Sequence, residues 1–286
     1  MTRILILGAT GMLGNAMLRY FAGCDGMTVA GTSRSARAAA LLPAALHPLL
    51  ISGVDAGEPD TLLRAVGTFR PTVLVNAMGL VKQLADANDP LAALPMNALL
   101  PHRLQLLAAA AGARLVHVST DCVFTGKAGH YREDDVPDAV DLYGRSKLLG
   151  EIGGHANAVT LRTSIIGREL GSAHGLVDWF LAQHGSVKGY VRAIFSGVPT
   201  VELARIVHQN VLPDASLHGV YHVAAAPICK FDLLHLIART FGHEIEIVRD
   251  ESVVIDRSLD ASRFNMATGY SAPAWPDLIE RMQRFG

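Results

Sequence analysis

The chain has 286 residues, a formal net charge of -1 and 50% hydrophobic residues, enough to bury a sizeable core in one large domain or in a domain with a smaller lobe. Only 18% of residues are charged and no basic stripe runs through the chain, which argues against disorder and leaves no nucleic acid among the expected partners. The apolar run after Met1-Thr2-Arg3 is too short for a signal peptide or a membrane span, and Cys24, Cys122 and Cys229 show neither metal-ligand nor disulfide-framework spacing, so a cytoplasmic protein with reduced thiols, no membrane segment and no metal is expected.

In chain order, residues 3–7 read as a buried strand, 12–21 as a helix, and 27–32 and 49–54 as the second and third strands. Residues 59–69 are helical and 72–75 form a fourth strand. Residues 90–111 are an Ala/Leu-rich helical segment in which Pro95 and Pro101 imply kinks or a break. A fifth strand at 114–119, a helix at 143–150 and a sixth strand at 158–163 follow. Near-continuous apolar strands separated by helices predict an α/β fold, a Rossmann-like doubly wound parallel sheet covered on both faces. After Ser164 the pattern loosens, with helices at 175–184, 200–212, 231–241 and 276–285 and strands at 219–223 and 244–248. No repeat or linker interrupts it, so a smaller C-terminal lobe packed on the sheet is expected. The division predicted is a dinucleotide-binding domain at 1–164, with 196–224 packing back onto it, and a substrate-binding lobe at 165–195 and 225–286.

Gly8-Ala9-Thr10-Gly11-Met12-Leu13-Gly14 follows the first strand and opens the first helix. Glycine at 8 allows a tight turn, at 11 a close approach of backbone to a pyrophosphate, and at 14 close packing of helix on strand. The helix N-terminus then offers N–H groups to the phosphates, with Thr10, Met12 and Leu13 lining the turn. The second strand ends in Thr32-Ser33-Arg34-Ser35, with no carboxylate to hold a ribose 2′-hydroxyl. Arg34, helped by Ser33, suits a 2′-phosphate, so NADPH is the expected cofactor. Asp55 stands where it could contact the adenine or cap a helix.

Tyr143 and Lys147 are four residues apart on a predicted helix and therefore share a face. A fixed cation near a phenol lowers its ordinary pKa of about 10, which makes the pair a candidate general acid/base. Ser119-Thr120-Asp121 ends the fifth strand at the edge of the sheet where open α/β folds bind ligands. Thr120 can donate to a substrate carbonyl while Tyr143 supplies a proton, with Ser119 as the runner-up.

The Gly-x-x-Gly-x-x-Gly spacing resembles the extended short-chain dehydrogenases/reductases. That resemblance places Asn76-Ala77-Met78-Gly79 beside the nicotinamide side of the cofactor, and Asn97 at the asparagine that orders a water near the active lysine, against a plain reading as a polar helix residue. A closer match lies in Ser119-Thr120-Asp121-Cys122-Val123-Phe124-Thr125-Gly126, in Tyr131-Arg132-Glu133-Asp134-Asp135, in residues 143–151 and in Leu161-Arg162-Thr163-Ser164. These segments resemble the dTDP-4-dehydrorhamnose reductases and their relatives. The resemblance implies an NADPH-dependent reductase of a 4-keto-6-deoxy sugar on a nucleoside diphosphate, with Thr120, Tyr143 and Lys147 catalytic. It brings Arg162 to the substrate; Lys82, Lys188, Arg192, Lys230 and Arg257 are cations suited to a diphosphate, against a plain reading as surface charges, and segments similar to those of Lys230 and Arg257 recur in relatives. Trp179 could stack on a base, although its spacing with Leu176 and Phe180 suits a core position. The chain departs from the group at Cys122, where Tyr is usual, at Ile165, and across residues 76–83, which leaves the sugar open. A nucleotide-sugar epimerase or dehydratase and an NADP-binding regulatory subunit are the rival readings. The sequence is compatible with a homodimer.

Overall fold

The computed structural model describes residues 1–82 and 85–286; Gln83, the last residue of the 76–83 segment, lies outside them. In chain order the first part holds β1 (Thr2–Leu7), α1 (Met12–Ala22), β2 (Met27–Ser33), α2 (Ala36–Ala39), β3 (Leu50–Ser52), α3 (Pro59–Phe69), β4 (Val73–Asn76), α4 (Pro90–Ala93), α5 (Leu100–Ala110), β5 (Arg114–Thr120), α6 (Leu142–Leu149) and β6 (Ala158–Thr163). The second part adds β7 (Ile165–Ile166), α7 (Leu176–Leu181), β8 (Ser186–Tyr190), β9 (Ala193–Phe195), β10 (Val198–Pro199), α8 (Thr200–Ile206), β11 (Gly219–His222), β12 (Ile228–Cys229), α9 (Lys230–Phe241), β13 (Glu246–Asp250), β14 (Ile255–Asp256), α10 (Ser262–Thr268) and α11 (Trp275–Phe285).

Seven strands form one sheet in the order β11-β6-β5-β4-β1-β2-β3, and every pairing in it is parallel. Successive residues of β1 feed opposite faces: Ile4 and Ile6 join the layer built with α1, α8 and α11, whereas Leu5 and Leu7 join the layer built with α3 and α5. That two-residue period is why the strand reads as continuously apolar. The fold is a doubly wound Rossmann-like α/β sheet, as the alternation of strands and helices predicts. Strand order reverses between β1 and β4, so the ends of those strands open a crevice at the carboxyl edge.

The helical stretch at 90–110 does not break at its prolines. A π-helical segment, Leu94–Leu99, joins α4 to α5, and Pro95 and Pro101 occupy opening positions of their segments. Within this continuous stretch each of these prolines forfeits one backbone hydrogen bond, which the helix absorbs without ending.

Beyond β6 the chain returns to the main sheet through β11, which pairs with β6, while three small sheets form the rest of the C-terminal part. One of them pairs β8 with β13, residue by residue from Ser186–Glu246 to Tyr190–Asp250. The alternation in Ser186-Val187-Lys188-Gly189-Tyr190 is short and carries a glycine, so the sequence reads β13 without its partner. Within α7, Phe180 is fully buried and Trp179 is 39% exposed, so the helix turns the indole away from the core that its spacing suggests. None of the helices among the described residues is long and apolar enough to cross a membrane.

Candidate active site

The glycine turn between β1 and α1 is built as its residue types require. Gly8 has φ +83, and an ideal Cβ on it would lie 2.8 Å from Met78 Cγ. A Cβ on Gly14 would collide with the carbonyl oxygen of Gly8, so only glycine lets α1 sit this close to the strand end. Gly11 is the N-cap of α1, makes no side-chain cap, and no acidic residue sits in the first turn. The positive end of an eleven-residue helix therefore faces the crevice without a competing carboxylate. These features fit the diphosphate of a dinucleotide, held by the turn at residues 8–14. Thr10 lies in the same turn.

At the end of β2, Ser33 is buried and its hydroxyl lies 3.1 Å from Ser52 Oγ. Arg34 is exposed and has no hydrogen-bond or ion-pair partner among the described residues. Asp55 does not reach out of its loop: its Oδ1 accepts from the Gly57 N–H at 2.8 Å, and its own N–H donates to Thr61 Oγ1 at 3.0 Å. Its carboxylate holds a turn before α3.

A cleft of about 320 Å³ opens at the carboxyl edge, lined by Gly11, Met12 and Leu13 on one side and by residues 76–82 on another. Val118, Ser119, Thr120, Asp121, Cys122, Tyr143 and Lys147 form its floor, and Thr163, Ser164 and Ile165 close it. The sheet thus brings together Gly11, Asn76, Ala77, Gly79, Lys82, Thr120, Tyr143 and Lys147 from four separate segments.

Helix α6 carries Tyr143 and Lys147 because Asp141 caps it, accepting from the Gly144 N–H at 2.7 Å, and because Gly150 ends it. Gly144 lies against the carbonyl of Cys122 and Gly150 against that of Asn97, so both glycines let the helix press onto the cleft floor. Lys147 is 6% exposed and donates to the Val118 carbonyl at 2.9 Å. No hydrogen bond joins it to Tyr143 among the described residues. Burial lowers the Lys147 pKa to about 8, with Glu151 pulling it back up. Burial also raises the Tyr143 phenol above its ordinary value, Cys122 adds to the rise, and the nearby Thr120 hydroxyl opposes it. The expected lowering of the Tyr143 pKa is therefore corrected: desolvation of the phenol is the largest influence on it and acts in the opposite direction.

Thr120 Oγ1 donates to Asp121 Oδ1 and accepts from the Cys122 N–H, both at 3.1 Å. Ser119 is committed elsewhere, donating to Glu151 Oε1 at 2.7 Å. Cys122 lines the floor with its thiol pushed up to about 11 by burial and by Asp121, so it is a neutral group there.

The loop after β4 is held from three directions. Asn76 Oδ1 accepts from the Met78 N–H at 3.1 Å. Asn97 accepts from the Leu80 N–H at 2.9 Å, donates to the Leu80 carbonyl at 3.0 Å and reaches Ser146 Oγ at 3.2 Å, so its carboxamide is a strut between loop and α6. Lys82 pairs with Asp141 at 2.7 Å, tying the same loop to the cap of that helix.

Arg162 stands apart from the cleft, and its expected place at the substrate is corrected. Its guanidinium is buried, donates to both oxygens of Glu151 at 2.9 and 2.6 Å, meets His222 Nε2 at 2.8 Å and lies 5.1 Å over the Phe124 ring. An arginine inside a parallel sheet needs such a set of partners, and each of its three nitrogens is engaged by Glu151 or His222. Lys230 sits 4.8 Å over the Phe195 ring and acts electrostatically on Asp121; burial lowers its pKa. Arg257 donates from Nε to the Phe124 carbonyl at 2.8 Å and opposes the burial that raises the Asp121 carboxyl. Lys188 is spent on Asp250 at 2.9 Å, and Arg192 is exposed. Asp141, Glu151 and the Val118 carbonyl are site residues that sequence reasoning missed. Asp141 carried a signal, a capping residue just before the helix of Tyr143, and Glu151 ends the 143–151 segment of the resemblance, whereas a backbone carbonyl such as that of Val118 carries none.

Comparison with known proteins bears on the family and the fold. The family described as the RmlD substrate binding domain matches residues 1–276. Methionine adenosyltransferase 2 subunit beta of Bos taurus is 31% identical, over 99% of this chain and 90% of that protein. dTDP-4-dehydrorhamnose reductase of Aggregatibacter actinomycetemcomitans is 27% identical, over 100% of this chain and 94% of that protein. Among solved structures, dTDP-4-dehydrorhamnose reductase of Bacillus anthracis in complex with NADP has the same fold, with a TM-score of 0.80, 19% identity and coverage of 99% and 98% of the two chains.

Proposed function

Because the chain belongs to the family of the RmlD substrate binding domain, we propose that it is an NADPH-dependent reductase of a nucleotide-linked 4-keto-6-deoxy sugar. The observation that carries this reading is the convergence of Thr120, Tyr143 and Lys147 on the floor of a cleft whose other wall is the glycine turn. NADPH, when bound, supplies hydride to the ketone carbon. Residues 8–14 hold its diphosphate and Arg34 its 2′-phosphate, while Asn97 keeps the loop at residues 76–80 against α6 and so shapes the nicotinamide end.

Tyr143 is the proton donor. Burial keeps the phenol protonated at neutral pH, which is the form that ketone reduction consumes. Lys147 supplies the charge that stabilises the phenolate left behind. Thr120 turns its hydroxyl from Asp121 to the carbonyl oxygen as negative charge develops there. Lys82, Lys230 and Arg257 rim the sugar-diphosphate side, with residues 165–195 and 225–286 as the substrate lobe. Cys122 and Ile165 present small or apolar groups to the sugar, which sets this chain apart from the rhamnose-pathway pattern.

A second reading is a dinucleotide-binding regulatory subunit, favoured by the likeness to the beta subunit of methionine adenosyltransferase 2. One assay separates the readings. Purified protein is incubated with NADPH and a panel of nucleoside-diphosphate 4-keto sugars, and absorbance and product are followed. Stoichiometric NADPH loss with alcohol formation is expected. Product without net NADPH loss means an epimerase or dehydratase, and NADPH binding without turnover of any sugar moves the assignment to the regulatory reading.

A further inference from the structure

We propose that His117 is a positioning residue of the cleft: a neutral imidazole with a bare Nδ1 that fixes the Asn76 carboxamide and, through it, the wall at residues 77–79. The proposal rests on the dinucleotide part of the reading above. His117 interrupts the apolar run of β5 on the same face as Leu115, and it is 1% exposed. A buried imidazole demands a polar explanation, and the reaction scheme gives it none.

The hydrogen-bond directions are forced one after another. The Met78 N–H can only donate, so the atom of Asn76 that faces it is Oδ1, at 3.1 Å. The other end of the carboxamide, Nδ2, can also only donate, and it faces His117 Nδ1 at 3.1 Å. Nδ1 therefore carries a lone pair, and the ring proton sits on Nε2, which is buried without a partner among the described residues. Lys147 on α6 and His102 on α5 both act on this ring electrostatically, and each opposes a positive charge on it. A proton on Nδ1 would set two donors face to face and release Asn76.

What Asn76 holds explains why the tautomer matters. Met78 covers Gly8, where an ideal Cβ would already lie 3.3 Å from the Met78 nitrogen. Gly79 faces the active-site side, and a Cβ there would be 3.4 Å from Asn97 Oδ1 and 3.9 Å from Lys147 Nζ. A rotated Asn76 releases the Met78 N–H and so loosens a backbone that lies between the glycine turn and Lys147. His117 thus couples the two ends of the dinucleotide site without touching a ligand.

Two substitutions test the coupling. His117→Leu deletes the acceptor, whereas His117→Asn places an oxygen near the position of Nδ1. NADPH affinity, measured by calorimetry, is expected to weaken about tenfold in His117→Leu, as loss of an acceptor for a buried donor implies, and to return to within about threefold in His117→Asn. Wild-type affinity in a folded His117→Leu protein, or equal loss in both variants, overturns the proposal. Long-range ¹H–¹⁵N spectra of the labelled wild-type protein need no variant to fold. They are expected to show a protonated Nε2 and an unprotonated Nδ1 that does not titrate between about pH 6 and 8, the range in which an ordinary histidine would. The opposite tautomer or a titrating ring overturns the proposal. If the wild-type protein binds neither NADPH nor NADH, the cofactor reading fails, and the tautomer alone decides the role of His117.

Discussion

At the scale of single residues, Tyr143 and Lys147 share a face of α6, yet each is tuned mainly by burial. The phenol is raised by burial first and Cys122 second, so it keeps its proton, while the ammonium, lowered to about 8, gives up its own under mildly alkaline conditions. The proposed reductase activity should show a kcat that falls as the pH rises through about 8, where Lys147 gives up the charge assigned to steadying the phenolate. In the variant Lys147→Met that limb should vanish from a lower baseline; an unchanged limb would assign it to another group. Tyr143→Phe should cost on the order of 10²-fold or more in kcat, and near-wild-type turnover would remove the phenol from the mechanism. Arg34 is exposed at the end of β2, and its loss touches no protein contact among the described residues. Arg34→Ala should raise KM for NADPH about tenfold and leave that for NADH nearly unchanged, as loss of a charge-assisted bond to phosphate implies. Equal effects on both cofactors would show that Arg34 does not read the 2′-phosphate.

At the scale of elements, the carboxyl ends of β5 and β6 are locked to α6 and β11 by one polar network. Ser119 and Arg162 meet on Glu151, Arg162 meets His222, and His222 Nδ1 bonds the Tyr131 carbonyl at 3.0 Å. Arg162→Leu strands a buried carboxylate, so it should destabilise the fold by about 3–5 kcal/mol in chemical denaturation; a loss below 1 kcal/mol would mean that water relieves Glu151. The same network makes stability depend on pH. Burial and Arg162 lower His222 to about 4 from 6.5, so between those values the unfolded chain binds a proton that the folded one refuses. Stability is whole above pH 6.5 and falls as the pH drops toward 4, by on the order of 3 kcal/mol for this one group. His117, also held neutral by burial, adds a loss of the same sign, whereas the carboxyls of buried Asp121 and half-buried Glu133, raised by desolvation, oppose it at the acid end. His222→Gln should flatten the slope between pH 7 and 5, and an identical slope would place the titration elsewhere.

At the scale of the whole molecule, the main sheet is finished by a strand from the far part of the chain. β11 covers β6, and the layer on Ile4 and Ile6 includes Leu203, Ile237, Leu278 and Ile279 from α8, α9 and α11. A fragment ending at residue 164 therefore keeps the glycine turn, Tyr143 and Lys147 but exposes a sheet edge and half of a core. It should lack a cooperative thermal transition in circular dichroism. A cooperative transition near that of the full chain would show that the first 164 residues fold alone.

The alternation of β1, the turn at residues 8–14, the capped helix of Tyr143 and the motif at residues 119–126 are local patterns, and local patterns survive without a fold. By itself the sequence therefore determined the layered α/β architecture and the glycine turn that opens α1; Thr120, Tyr143 and Lys147, which it also singles out, line one cleft. Arg162 was misread because an arginine looks the same whether it waits for a phosphate or fills a buried pair; only the parallel pairing of β6 with β11 brings His222 to it, and only the C-terminus of α6 brings Glu151. His117 and Asn97 carry no spacing signal, since their partners lie 41 and 17 residues away in the chain. The state of Tyr143 was likewise a tertiary matter. Helical spacing can bring a lysine near a phenol, but how far water is excluded from both depends on every segment that closes the cleft, and exclusion of water is the larger force on their protons.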